Sequence, residues 1–159
     1  MVLIVYNNKK MKQSSVHNLT WFPIFLISLK SIVLGLIWFF HPEPWLLDKE
    51  PNEALLQSTF KVLFSLEANS FLPIYLKVLY RFFALWLVTI GLLIFFYVMI
   101  TRLGTFYSRI SIYFVLIITL FGLYYLVFNF LPLSPFIPLL YGLTILLCSS
   151  IYFSMQLKE

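Results

Sequence analysis

Lys77 and Arg81 stand four residues apart in YLKVLYRFFALWLV, at the head of a long apolar run, and Lys30 stands alone inside another. Two cations one helical turn apart can hold an anion, as a binding or transport site requires. They can equally anchor a helix end at a membrane surface, with apolar stems in lipid and charged heads in water. Glu67 is near enough in sequence to answer them with a carboxylate. An exposed pair of that kind stabilises by only about 0–1 kcal/mol, so it would mainly fix position.

Lys30 poses a sharper problem. It lies about nine positions from either end of its apolar run, which puts its Cα about 14 Å from both surfaces of a bilayer. A charge at that depth costs about 2.5–3.5 kcal/mol on the lenient insertion scale. A neutral amine, hydroxyls and carbonyls of neighbouring helices, a water-filled crevice or an acid from another protein could each answer it. The expectation is an acid on a second subunit or on a membrane protein partner, because all six acids of this chain lie outside the apolar runs.

Other chemistry finds few residues to work with. The two histidines, His17 and His41, flank the first apolar run about 36 Å apart along a helix, so one chain cannot aim both at one metal or haem. Cys148 is the only cysteine, which leaves no intramolecular disulfide and no CxxC redox pair. Ser149 and Ser150 have no base nearby in sequence and read as packing groups. No carboxylate relay, nucleophile elbow, zinc helix or phosphate-cradling glycine loop is present. The expectation is no catalytic residue, no metal, no cofactor and no enzyme.

The elements that carry these residues follow from composition. The 159 residues are 62% hydrophobic and 11% charged, more apolar surface than a soluble domain of this size can hide. The net charge of +5 reflects scarce acids, and no basic cluster interleaved with aromatics suggests nucleic acid. Crossing the hydrocarbon layer takes roughly 20 helical residues. Four segments suffice: 21–40, 72–100 (charge-free from Phe82 to Ile100), 110–131 and 137–157. Residues 1–20 read as a polar, mobile tail, of which 1–10 could be an extension upstream of Met11. The chain is thus expected to be all-α, an integral membrane four-helix bundle over 21–159.

Lys9, Lys10, Lys12, Arg102, Arg109 and Lys158 would share one side, and Lys49, Lys61, Lys77 and Arg81 the other. That asymmetry puts both termini in the cytoplasm. The sequon at Asn18 then faces inward and stays unglycosylated. The one long connection, between the first two spans, carries Glu43, Asp48, Glu50, Glu53 and Glu67. It should start extended at His41-Pro42-Glu43-Pro44. An amphipathic helix over 51–66 should follow, with Leu55, Leu56, Phe60, Leu63 and Leu66 on one face. It could rest on the headgroup layer or act as a lid whose acids meet Lys77 and Arg81.

In lipid, small and weakly polar residues mark helix contacts. Ser28, Ser31 and Gly35 form such a stripe on the first span. Ala84, Val88 and Gly91 form one on the second, Ser111, Ile118, Gly122, Tyr125 and Asn129 on the third, and Gly142 and Ser149 on the fourth.

The run LKSIVLGLIWFFHPEPWLL, the acidic first loop and YRFFALWLVTIGLLIFF resemble small four-helix bacterial integral membrane proteins, distantly DoxX-like, over residues 24–155. The likeness is one of layout. It implies a bacterial inner membrane location and no established activity, so no functional residue carries over. Together these readings describe a non-enzymatic polytopic membrane protein, an accessory or scaffold component assembling with itself or with partners in the lipid bilayer. The alternative is a binder or carrier of a small anionic or lipid-like ligand through Lys30, Lys77 and Arg81.

Overall fold

The computed structural model describes residues 11–131 and 134–157. The upstream extension expected over 1–10, with Lys9 and Lys10, and the terminal Lys158 and Glu159 lie outside them. Among the described residues every regular element is helical: α1 (Gln13–Phe40), α2 (Lys49–Leu56), α3 (Phe60–Ser65), α4 (Leu72–Thr101), α5 (Phe106–Phe130) and α6 (Phe136–Ser154). Short 3-10 turns stand at Pro44–Leu46 and Glu67–Asn69. The helices α1, α4, α5 and α6 are long and apolar enough to cross a membrane.

Part of the stretch expected as a tail over 1–20 is helical, because α1 starts at Gln13. Val16 and Thr20 are buried at 2% and 0% exposure. The Thr20 hydroxyl donates to the Val16 carbonyl at 2.9 Å, and the Ser150 hydroxyl of α6 donates to the Thr20 carbonyl. Tertiary packing thus carries the helix past the point where hydropathy alone ends it.

In space the order is α4, α1, α6, α5, with α1 between α4 and α6 and α6 between α1 and α5. The closest crossing is α1 on α4. A β-carbon on Gly35 would fall 2.8 Å from the Ala84 carbonyl oxygen, and one on Gly91 would fall 3.0 Å from the Ile32 backbone nitrogen. Only glycine lets the two backbones meet this closely. Ser31 uses the proximity to donate its hydroxyl to the Leu87 carbonyl at 2.9 Å. These are the stripes expected on the first two spans.

The third stripe points outward instead. Ile118 and Tyr125 are exposed, and nothing lies within 4 Å of a β-carbon placed on Gly122. The buried side of α5 holds Ser108, Arg109, Ile112, Tyr113, Leu116 and Val127. On α6 the buried side is Leu140, Leu147 and Ser150 rather than Gly142 and Ser149. Small residues permit close approach but do not compel it; α5 and α6 pack through larger side chains. Tyr113 reaches Ser150 with its hydroxyl 2.9 Å from Oγ, and Tyr124 reaches Thr144 at 2.9 Å. The core cluster joins Ile24, Ile27, Val98, Leu103, Ile112, Tyr113, Leu116 and Leu147. It therefore sits toward the end holding the α4–α5 connection.

The expected helix over 51–66 is broken in two. Gln57 ends α2 in the left-handed region (φ 50°), and Thr59 caps α3 by accepting from the Val62 amide at 3.3 Å. A threonine cap competes with continued helix, which explains the break. Of the five residues expected on one apolar face, Phe60 is buried at 5%, while Leu55, Leu56 and Leu66 are exposed.

Candidate functional site

Three places in the fold gather polar chemistry. The first is Lys30. Gly91, at the middle of the charge-free run Phe82–Ile100, packs against the Ser28 carbonyl and Ile32 on either side of it. At the cap end Trp38 stacks edge-on against Tyr80 at 5.6 Å; at the other, the Arg102 guanidinium lies 4.7 Å over Trp21. Lys30 therefore sits at the centre of the apolar belt, about 12 Å from the Trp38 level. It is exposed, at the seam between α1 and α6, and a β-carbon on Gly142 would stand 3.6 Å from its Nζ. The Lys30 ammonium makes no hydrogen bond or ion pair with any described residue.

The second place is the cap built by residues 41–71. Asp48 is buried at 8% exposure and accepts the Tyr80 hydroxyl of α4 on Oδ1 at 2.9 Å. The Asn52 side chain donates to the Tyr80 hydroxyl at 2.8 Å and to the Asp48 carbonyl at 2.9 Å. Burial pushes the Asp48 carboxyl above its ordinary value, partly offset by the Tyr80 hydroxyl it accepts. Trp45 packs edge-on against Phe64 at 5.6 Å, and Glu53 accepts the Phe60 amide at 2.9 Å. An open groove of about 370 Å³ lies among Trp45, Phe60, Phe64, Lys49, Glu53 and Lys61. Its charges are partly spent, since Lys49 and Glu53 pair at 3.9 Å.

The third place is the α4–α5 connection. Arg102 and Leu103 are both left-handed, at φ 48° and 52°. Leu103 is fully buried, and Arg109, itself 5% exposed, donates to the Leu103 and Gly104 carbonyls at 3.3 Å each. Thr105 and Ser108 form a capping box on α5, and the Tyr97 hydroxyl donates to the Ser108 carbonyl at 3.0 Å. Arg109 thereby latches the turn.

The four residues singled out from the sequence do not converge. Lys77 and Arg81 lie at the cap end of α4, half-buried and exposed, and neither pairs with Glu67, which is exposed in its own 3-10 turn. Arg81 and the Lys30 level are about 15 Å apart along α4. The acid that does meet α4 is Asp48, through a tyrosine. The D-K-E-P-N spacing that sets Asn52 four residues after Asp48 is visible in the sequence, but nothing local points to Tyr80. Arg109 was counted among the surface cations; no local signal marks it as buried. Among the described residues no group of three or more His, Cys, Asp or Glu could hold a metal. Comparison with family models, curated proteins and solved structures finds no match to this chain.

Proposed function

We propose that the protein is a non-enzymatic polytopic membrane component that serves an assembly as an accessory or scaffold subunit. In this reading α1, α4, α5 and α6 cross a bacterial inner membrane, with both termini cytoplasmic and the cap on the outer face. What carries the reading is Lys30: it is an exposed cation at the centre of the apolar belt with no partner among the described residues, and lipid tails offer it nothing. The other polar groups support it from the opposite direction. Asp48, Asn52 and Tyr80 are occupied in fastening the cap, Arg109 in fastening a turn, and Ser150 and Tyr113 in joining helices.

A carrier of one small anion would need its cations within reach of a single ligand. The separation of Lys30 from Arg81, about 15 Å along the helix axis, argues against that. Extraction from native membrane in mild detergent, followed by native mass spectrometry, tests the proposal. A particle containing more than one polypeptide is expected. A lone chain retaining one defined small ligand would overturn it in favour of the carrier.

A further inference from the structure

Resting on that reading, we infer that the Lys30 face docks a transmembrane helix of a different protein, one carrying an aspartate or glutamate at mid-membrane. Lys30 is exposed, with its ammonium lying against α6 beside Gly142, on the α1–α6 seam, so a helix docking on that seam can reach it. Lipid cannot satisfy it, and a buried charge persists only when paired. A second copy of this chain cannot supply the pair either. Its acids are Glu43, Asp48, Glu50, Glu53, Glu67 and Glu159, all outside the apolar belt, and a parallel copy would bring another Lys30 to the same depth. Charge complementarity therefore selects a foreign carboxylate. Gly142 places the backbone of α6 beside the same ammonium, where even a β-carbon would make only ordinary contact with Nζ at 3.6 Å.

Treatment of native membranes with a membrane-permeant carbodiimide tests this, since the reagent condenses a lysine amine with a carboxylate only when the two touch. The full-length tagged chain should form one cross-link that peptide mapping places at Lys30 and at an acid within a transmembrane helix of another protein. Lys30→Leu should remove the cross-link and cut co-purification of that protein about a hundredfold or more, while Lys30→Arg retains it. Lys30→Asp should release it too, and an acid-to-lysine change in the partner should restore binding. Undiminished co-purification with Lys30→Leu would overturn the charge pairing, yet leave the assembly reading standing. Multimers of this chain alone would do the same. A lone chain with no co-purifying protein would sink both. Normal membrane levels of Lys30→Leu, expected because the residue is exposed and its helix is otherwise apolar, separate lost docking from lost folding.

Discussion

Asp48 is buried in the cap and bonded to α4 through Tyr80, and the sign of its effect on stability follows from those surroundings. Its folded-state value lies above the ordinary 3.8 because burial disfavours the carboxylate. The folded chain therefore holds the proton more tightly than the unfolded one. The stabilisation from Asp48 is complete below 3.8 and is lost as pH rises through the raised folded value. Thermal melts across that window should show the wild-type advantage over Asp48→Asn shrinking as pH rises; an advantage that grows would contradict the burial. Tyr80→Phe removes the hydroxyl donor to the carboxylate and should cost about 1–3 kcal/mol at neutral pH. The measurement is the melting midpoint, with protease sensitivity of residues 41–71 showing that the loss is local to the cap. An unchanged midpoint would mean that water replaces the tyrosine freely. The pairing was not legible from the sequence, because it joins positions 32 residues apart across a helix break. Lys30, by contrast, is legible as an anomaly from its place about nine residues inside an otherwise apolar run.

At the scale of helices, the glycines separate the contact that is built on close approach from those that are not. Gly91 meets α1 backbone, so Gly91→Ala must push α1 and α4 apart and should destabilise by about 1–3 kcal/mol. Gly122→Ala, with open space beyond it, should be neutral or stabilise by up to about 1 kcal/mol through reduced backbone entropy. Thermal unfolding in one detergent compares the two; equal effects would deny the α1–α4 crossing. The small-residue pattern read from the sequence located this crossing on both partners. It failed on α5 because a stripe of small residues does not say which side of a helix has a neighbour, and Gly122 has none within 4 Å of a β-carbon. The 51–66 helix failed for a different reason. Periodicity runs through Gln57, whose left-handed backbone stops one helix, and Thr59, whose side chain caps the next. The buried Thr20 also shows why the start of α1 was misplaced: Ser150, distant in sequence, holds it.

At the scale of the molecule, the four long apolar helices are the part most directly written in composition, while their packing order depends on contacts that hydropathy does not encode. The cap end and the opposite end should lie on different sides of the membrane. In a Cys148→Ser background, cysteines at exposed Glu50, Lys61 and Glu67 should label from the outer face only, and one at Tyr107 from the cytoplasm only. The reverse pattern would invert the topology. Position 48 is a poor reporter, being buried against Tyr80. Docking of a partner helix at Lys30 requires that this residue face outward at mid-membrane. It is tested most directly by a nitroxide on Lys30→Cys, again with Cys148→Ser, in the chain reconstituted alone in a bilayer. Power saturation should give high access to oxygen and low access to a water-soluble nickel chelate, the signature of a lipid-facing site near the bilayer centre. Strong access to the chelate, or little access to either, would place the residue in a water crevice or inside the bundle and contradict the account.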